Sequence, residues 1–383
     1  MHFLCFLTAA QQAIIPSEFY PNPSLEQNMA QSMSSSVPNS VAPTPPRGAQ
    51  SIVNLIGNTP LLRIPSLSQL TGCDIFLKCE NLNPGGSVKD RAALGMIRDG
   101  FASGRLKPGM TIVEGTAGNT GIGLALVGRS FGLDSLICMP DNQSPQKVAI
   151  LKMFGAQVNL TKPVPFKDEN HFFHTAGRIA AQDPHKYWWA NQFDNLANFR
   201  AHYTTTGPEI LQQVDGKLDY LVSVAGTGGT IAGNSRYLKE KIPGLKVVLC
   251  DPLGSGLCNY FHKKVFEMTG SSFSEGIGIM RLVPNFAEAQ IDEAFTLPDV
   301  DAVTVAHHLR KVDGIVLGTS AALNVAACLK VALQDGPGKR IVTFWCDQGD
   351  RSIAKLYDDA FLASQKIEPP TLSIDALVTQ YRS

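Results

Sequence analysis

From Ser51 onward, short apolar segments alternate with longer amphipathic or alanine-rich segments. Short segments that are apolar at nearly every position are typical of strands buried on both faces of a parallel sheet. The predicted strands are 74–78, 111–115, 135–139, 220–224, 246–250 and 340–345, and the predicted helices are 88–103, 119–131, 145–154, 230–242 and 320–335. This alternation predicts an α/β protein, and 383 residues are enough for two open α/β domains with a cleft between them. Beyond about residue 355 we expect a helical segment and then a polar end.

The first fifty residues differ in composition from the rest, because they are rich in Ser, Pro, Gln and Asn. This composition predicts a disordered N-terminal extension, residues 1–50. Its apolar start has no basic residues ahead of it, and Arg47 is its only arginine, beside Glu18 and Glu26. Neither a signal peptide nor a mitochondrial presequence is favoured, so we expect a cytoplasmic protein, with a mitochondrial location left open. Met29 could also be the translation start.

Charge and cysteine usage exclude several classes of partner. Basic and acidic residues both number 33, so the net charge gives no reason to expect nucleic acid or an anionic membrane as partner. No apolar run reaches the roughly 18 residues of a membrane span. Eight cysteines are scattered without a C-x-x-C motif, which is typical of reduced core thiols in an intracellular protein.

The sharpest glycine-rich turn is VSVAGTGGTIAG, where Gly226, Thr227, Gly228, Gly229 and Thr230 lie between a predicted strand and a predicted helix. Glycines allow close backbone approach, and the helix N-terminus and the threonine hydroxyls attract an anion. No lysine follows as in a Walker A loop, and the residue after Thr230 is not the glycine of a dinucleotide fingerprint. A phosphate monoester is therefore favoured, although a purely structural turn would look the same.

Two further turns carry polar groups. In NPGGSVKDRAA, Lys89 lies in the first turn of a predicted helix near Arg91, a field that favours the neutral amine required of a Schiff-base nucleophile. In EGTAGNTGIG, Asn119 and Thr120 could bind a carboxylate or a phenolic oxygen, or could simply cap a helix. A lone lysine at a helix start is ordinarily a solvated charge. Together with a phosphate loop, however, it predicts pyridoxal 5'-phosphate as cofactor.

These turns belong to a longer series of motifs, which includes SIVNLIGNTPLLRI, KCENLNPGGSVKDRAA, GTAGNTGIGLAL, QFDNLANFRAHYTTTGPEI, GTGGTIAG, EGIG, GTSAALN and CDQGDRS. These motifs follow one another in this order over some 300 residues. With them, the chain resembles the fold type II pyridoxal-phosphate enzymes, specifically the cysteine synthase and cystathionine β-synthase group. The resemblance implies a tryptophan synthase β-like fold of two open α/β domains with the active site in the cleft. The implied division is a large cofactor-binding domain (51–82 and 196–360), a smaller mobile domain (83–195) and a C-terminal tail (361–383).

The resemblance also implies roles for matching positions. Lys89 matches the lysine that forms the Schiff base and shuttles the α-proton, Asn119 the asparagine bonded to the pyridine 3'-oxygen, and Ser320 the serine facing the pyridine nitrogen. The phosphate cup matches Gly226, Thr227, Gly228, Gly229 and Thr230. The substrate-binding positions match Thr116, Ala117, Gly118, Thr120, Gln192 and Gly276. No metal is expected, because the pair His171 and His174 has no carboxylate or cysteine context.

The implied reaction is β-replacement on an activated serine of the O-acetylserine type through an aminoacrylate intermediate. Sulfide or another thiol then adds, and the product is cysteine or an analogue. A neutral serine at the pyridine nitrogen disfavours transamination and racemisation. Two half-reactions on one covalent intermediate imply ping-pong kinetics. The implied partners are an amino-acid substrate, a sulfur nucleophile and a second copy of the chain in a homodimer.

One departure keeps an alternative open. Ala117 stands where the family has serine, and losing one hydrogen bond to a charged group costs roughly 1.5–3 kcal/mol of binding. A β-eliminating lyase or dehydratase, or a specialised β-substitution that forms cystathionine or a non-proteinogenic amino acid, is therefore the alternative. A third hypothesis is a paralogue that binds cofactor or a partner without turnover. Ser352, where the family commonly has tyrosine, is a second departure.

Overall fold

The computed structural model describes residues 51–116, 118–143 and 145–383. The predictions for residues 1–50 and for Ala117 lie outside the described residues. The strands are β1 Leu61–Arg63, β2 Asp74–Lys78, β3 Thr111–Gly115, β4 Asp134–Pro140, β5 Gln157–Thr161, β6 Tyr187–Trp189, β7 Tyr220–Ser223, β8 Lys246–Pro252, β9 Glu293–Leu297 and β10 Arg340–Phe344.

The longer helices cover these strands, and shorter ones connect them. The α-helices are α1 Pro65–Thr71, α2 Lys89–Ala102, α3 Asn119–Ser130, α4 Pro145–Met153, α5 Phe172–Gln182, α6 Ala197–Ala201, α7 Gly207–Gln213, α8 Gly229–Lys241, α9 Leu257–Lys263, α10 Pro284–Ala287, α11 Asp299–Val312, α12 Thr319–Asp335, α13 Ile353–Leu356, α14 Asp359–Ser364 and α15 Ile374–Arg382. Short 3₁₀ helices span Ile52–Leu55, Glu80–Leu82, Gly349–Ser352 and Pro369–Thr371, and a π-helical turn, His202–Thr206, joins α6 to α7.

Two sheets organise the chain. The larger has six strands in the order β1-β2-β10-β7-β8-β9, and the smaller has four in the order β5-β4-β3-β6. Every pairing is parallel except that of β1 with β2. The crossover order confirms the predicted α/β class. In parallel sheets of this kind, ligands bind beyond the carboxyl ends of the strands.

Helix α12 lies at the centre of the larger hydrophobic core, which packs against the six-stranded sheet. Its residues 319–329 are all buried, and its alanine-rich sequence lets it pack closely against β10, α11 and α15. A helix that is apolar on all sides is stable only where neighbours cover every face. This burial holds the first turn of α12, including Ser320, at a defined place relative to the sheet.

The C-terminal end is more ordered than the sequence indicates. The expected polar end contains α15, whose Leu377, Val378 and Tyr381 are buried against the larger core. The Tyr381 hydroxyl donates a 2.6 Å hydrogen bond to Asp301. The expectation of a purely polar end is therefore wrong, because the three buried residues follow helical spacing over too short a stretch to stand out.

Among the helices of the described residues, none has both the length and the apolar composition to cross a bilayer.

Candidate active site

A cavity of about 490 Å³ contains the predicted site residues. It lies beyond the carboxyl ends of β3 and β7, so strands of both sheets contribute to it. Of the predicted site residues that the structure describes, all but Gly229 line this cavity. Positions separated by more than 200 residues in sequence are thus brought to one place, from Lys89 to Ser320.

Lys89 is the first residue of α2, and its side chain is half-buried in the cavity wall. Burial lowers the pKa of its amine, against the opposing influence of Cys346 and Asp347. Since burial also raises the pKa of the Cys346 thiol to about 12, that thiol is neutral near pH 7. Asp347 is therefore the acidic neighbour that opposes the loss of the lysine proton.

The lowered pKa of Lys89 has a different cause from the one that the sequence indicates. Arg91 does not face Lys89, because its guanidinium is buried and bonds to Glu80 at 2.7 Å and to Glu209 at 2.7 Å. Lys78 joins the same buried network through a 2.7 Å bond to Glu209. Arg91 instead ties the first turn of α2 to the 3₁₀ helix that follows β2 and to α7. The predicted effect of Arg91 on the lysine is wrong, and desolvation takes its place.

Close packing makes glycine necessary in the loop 226–230. A Cβ atom on Gly226 would lie 2.2 Å from the Gly276 carbonyl oxygen, and one on Gly229 would lie 2.2 Å from Asn198 Oδ1. Gly228 has a φ of +86°, and a Cβ there would lie 2.4 Å from the Phe286 Cα. The backbone therefore turns tightly at the start of α8, where N–H groups are left without helical acceptors.

The side chains of the two threonines in this loop form hydrogen bonds with other residues of the protein. Asn198 Nδ2 donates to Thr227 Oγ1 at 2.9 Å, and His202 Nε2 lies 3.3 Å from Thr230 Oγ1. The other ring nitrogen of His202 lies 2.9 Å from Thr206 Oγ1 within the π-helical turn. Thr227 Oγ1 accepts from the protein side, which leaves its hydroxyl hydrogen for an anion in the cavity. The same holds for Thr230 when His202 Nε2 carries the ring proton.

Asn119 begins α3, and both ends of its amide have partners. Its Nδ2 donates to Asp347 Oδ2 at 2.7 Å, and its Oδ1 accepts from Arg351. Asp347 and Arg351 both line the cavity. Their motif, CDQGDRS, is part of the resemblance, but neither residue is predicted to be a site residue.

The loop predicted to bind a carboxylate is organised around Gln192. Thr120 Oγ1 donates to Gln192 Oε1 at 2.6 Å, and the Gln192 backbone N–H donates to Glu114 Oε2 at 3.2 Å. Burial raises the pKa of Glu114 to about 8, so this carboxyl group is mostly protonated near pH 7. Thr116 is 6% exposed and Gln192 5% exposed, so both can bind only what enters the cavity.

Ser320 and Ser352 lie near each other at the start of α12. Ser320 is buried beside the Cys346 thiol. Ser352 Oγ accepts a 3.3 Å hydrogen bond from the Thr319 backbone N–H, so it caps the helix that carries Ser320. This contact explains how a serine is accommodated at the second departure from the family pattern.

The segment 272–283 contacts several other elements around the cavity. Glu275 pairs with Lys147 of α4 and, at 2.8 Å, with Lys355 of α13. Farther along, the Arg281 guanidinium lies 4.9 Å from the ring centre of Phe166 and 5.3 Å from that of Phe193.

Most of the chain matches a known family. The profile of the family described as "Pyridoxal-phosphate dependent enzyme" matches residues 52–347. The chain belongs to this family.

Relatives and solved structures agree with this assignment. The chain is 46% identical to cysteine synthase 2 of Schizosaccharomyces pombe over 339 residues, which cover 83% of this chain and 86% of the relative. Among solved structures, it is similar to the O-acetylserine dependent cystathionine β-synthase from Helicobacter pylori, with a TM-score of 0.72, 33% identity and coverage of 80% and 98%. It is also similar to O-ureido-L-serine synthase, with a TM-score of 0.72, 31% identity and coverage of 82% and 99%. These neighbours confirm the fold type II architecture.

The cavity of this pyridoxal-phosphate dependent enzyme fits its cofactor. The glycines of loop 226–230 leave a cradle that a Cβ atom would fill, at a helix N-terminus suited to a phosphate. Lys89 provides an amine with a lowered pKa in the same cavity, and Asn119 and Ser320 supply polar groups. Within the described ranges, no cluster of three or more His, Cys, Asp or Glu side chains is arranged to hold a metal ion.

The histidine pair of the sequence has structural contacts. His171 accepts the Phe173 backbone N–H at the start of α5, and His174 Nε2 lies 2.7 Å from the Phe166 carbonyl oxygen.

Proposed function

We propose that this chain is a pyridoxal-phosphate dependent β-replacement enzyme that makes cysteine from O-acetylserine and sulfide. The observation that carries the proposal is the placement of Lys89 in the same cavity as loop 226–230 and Asn119. The 46% identity to a cysteine synthase over most of the chain supports this choice of reaction within the family.

The residues that would hold the cofactor follow from the cavity wall. Loop 226–230 would bind the phosphate, Asn119 the ring oxygen and Ser320 the ring nitrogen, and Lys89 would bind covalently through its amine. When bound, pyridoxal phosphate supplies an electron-withdrawing ring that stabilises negative charge at the α-carbon of an attached amino acid.

The remaining chemistry belongs to side chains of the protein. The free Lys89 amine, whose pKa burial lowers, takes the proton from the substrate α-carbon. Acetate leaves the β-carbon with the electrons of the broken C–O bond. Hydrosulfide then forms the new C–S bond, and Lys89 returns the proton to the α-carbon. The sum is O-acetylserine plus hydrosulfide giving cysteine plus acetate.

Substrate orientation falls to the loop around Gln192. Its Nε2 group and the backbone N–H groups at the start of α3 would bind the substrate carboxylate, with Thr116 and Thr120 beside them. A protonated Glu114 behind Gln192 would add no negative charge opposite that carboxylate. Gly276, which has a φ of +74° and no atom within 4 Å of an added Cβ, would line the open side.

A second candidate is β-substitution with a nucleophile other than sulfide. Two observations favour it: Ala117 at a family serine position, and the similarity to solved enzymes whose names specify cystathionine and O-ureido-L-serine synthesis.

Product analysis tests the proposal. The purified enzyme with O-acetylserine and sulfide should release cysteine and acetate in equal amounts, and Lys89→Ala should abolish this turnover. Pyruvate and ammonia without cysteine would instead indicate elimination. Cysteine formation that survives in Lys89→Ala would overturn the assignment of Lys89.

Assembly, domain division and compartment are part of the same proposal. We expect a homodimer of the 41.3 kDa chain, divided at 82/83 and 195/196, which light scattering and limited proteolysis can test. The seven cysteines of the described residues are all unpaired, which supports a reducing compartment, and we propose the cytosol. Cell fractionation with an antibody to the chain distinguishes cytosol from mitochondria.

A further inference from the structure

The Asn119 amide lies between two side chains, Asp347 and Arg351. One of them accepts a hydrogen bond from the amide and the other donates one to it. The Arg351 guanidinium can only donate, so the amide atom that faces it is the oxygen. Asp347 Oδ2 accepts, so the amide atom 2.7 Å from it is the nitrogen. Burial raises the pKa of Asp347, but a protonated carboxyl group still keeps an accepting oxygen, so this orientation holds in both ionisation states.

Three separate loops build this arrangement. Arg351 also donates to the Gly85 carbonyl, and an added Cβ on Gly86 would lie 2.6 Å from its Nη2. An added Cβ on Gly318 would lie 2.0 Å from Asp347 Oδ1. Glycines at two of these loops thus leave the space that the charged side chains occupy. Such space would not be needed if Asp347 and Arg351 were solvated surface charges.

We propose that Asp347 and Arg351 are positioning residues that fix the Asn119 amide so that its second N–H, and not its carbonyl, faces the ring oxygen of the cofactor. This inference rests on the proposed function, in which Asn119 contacts that oxygen. Among the described residues, Asn119 Nδ2 donates to Asp347, so its other N–H is left for the cavity. An ionised ring oxygen needs a donor, and a flipped amide would offer it an acceptor instead.

The contact between Asp347 and Asn119 is also linked to the position of Lys89. Residues Ser87 and Asp347 form an antiparallel bridge, and the Val88 N–H donates to the Cys346 carbonyl at 2.9 Å. The segment that precedes Lys89 is thus paired with the segment that carries Asp347. A shift of either segment would move both the lysine and the partner of Asn119.

The test uses the visible spectrum and the affinity of added pyridoxal phosphate. The single variants are Asp347→Ala, Arg351→Met and Asn119→Ala, and the first two are also combined with Asn119→Ala. We expect each single variant to shift the absorption maximum in the same direction and to weaken cofactor binding on the order of tenfold, as expected for loss of one hydrogen bond to a charged group. In the Asn119→Ala background, adding either other substitution should change neither quantity further.

The matched control is Gln348→Ala, an exposed neighbour of Asp347 whose bridge to Leu317 uses the backbone. It should leave the spectrum and the affinity unchanged. Thermal unfolding of each apo-protein shows whether a variant folds. Arg351→Lys keeps the charge but has no planar group to reach both Asn119 Oδ1 and the Gly85 carbonyl oxygen. It should therefore give an intermediate shift of the absorption maximum.

Two outcomes overturn different claims. If Asp347→Ala weakens binding about tenfold again in the Asn119→Ala background, the residues act independently and the positioning role is wrong. Borohydride reduction followed by peptide mass analysis checks the proposed function separately, since a cofactor not trapped on Lys89 would overturn both.

Discussion

His202 Nε2 lies 3.3 Å from Thr230 Oγ1, so a buried ring in the π-helical turn contacts the loop that forms the phosphate cradle. Burial lowers the pKa of His202 to about 3, and the ring is neutral at physiological pH. A neutral ring has one N–H. If Nε2 carries it, Thr230 accepts from His202 and donates its own hydrogen into the cavity, while Thr206 donates to Nδ1.

Replacing His202 with phenylalanine should therefore weaken cofactor binding on the order of tenfold, because Thr230 loses its partner and its orientation. Fluorescence titration of the apo-protein with pyridoxal phosphate measures this loss. The exposed His185→Ala is the control. Equal affinities of His202→Phe and the parent protein would contradict the role of the ring.

The same histidine predicts how stability depends on pH. The unfolded chain binds a proton at His202 below about pH 6.5, whereas the folded chain does so only near pH 3. Stability should therefore fall as the pH drops below about 6.5, by up to about 1.4 kcal/mol per pH unit from this group. Urea unfolding between pH 4.5 and 7 measures the slope, and His202→Gln should flatten it. An unchanged slope in the variant would show that other groups cause the dependence.

A comparison of alanine variants at Gly228 and Gly244 distinguishes the effect of backbone strain from the effect of a steric clash. Their φ angles are +86° and +83°, but an added Cβ meets the Phe286 backbone at 2.4 Å only at position 228, with nothing within 4 Å at position 244. Both alanine variants bear the strain of a left-handed backbone, about 1–2 kcal/mol. Only Gly228→Ala should also lose cofactor affinity, by at least about tenfold. Unaltered affinity in Gly228→Ala would mean that the cradle tolerates displacement.

Arg91 should be among the most sensitive positions for folding. Its removal leaves Glu80, which is 0% exposed, without its cation. Arg91→Ala should lower the free energy of unfolding by about 3–5 kcal/mol. The exposed pair Arg63–Asp74 is the comparison, and Arg63→Ala should cost less than about 1 kcal/mol. Denaturant unfolding measures the free energy of unfolding of both variants. Similar losses of that free energy in the two would contradict the importance of burial.

Restoring serine at position 117 tests the substrate assignment. Ala117→Ser returns a hydroxyl donor to the carboxylate loop, so the KM for O-acetylserine should fall by roughly ten- to a hundredfold if that acid is the substrate. Ala117→Gly is the control, because it adds no donor. A higher KM in Ala117→Ser would favour a donor or nucleophile that needs the smaller residue.

The central strands and the helices that follow them were predictable, whereas the edge strands were not. β2, β3, β4, β7, β8 and β10 lie within two residues of their predicted bounds. The four missed strands, β1, β5, β6 and β9, are the edges of the two sheets. An edge strand is covered less completely, so β5 and β1 carry exposed positions and lack a continuous apolar run.

The parts of the candidate site that lie in glycine-rich or lysine-containing motifs were predictable from the sequence. The contacts between residues far apart in sequence were less so. Loop 226–230 and Lys89 carry signals in the local sequence. The partners that hold them do not, since His202 reaches Thr230 and Asp347 reaches Asn119 only after folding. The motif CDQGDRS was the available signal for Asp347 and Arg351. Its spacing alone does not reveal that they contact Asn119, which lies 228 and 232 positions away in sequence.

The most direct test of the central claim is the visible absorption spectrum of the purified enzyme during addition of O-acetylserine and then sulfide. We predict a yellow protein whose band moves to longer wavelength with O-acetylserine and returns with sulfide as cysteine appears. Lys89→Ala should lack the parent band. A band that ignores O-acetylserine would contradict the substrate, and a colourless parent protein that Lys89→Ala leaves unchanged would contradict the cofactor itself.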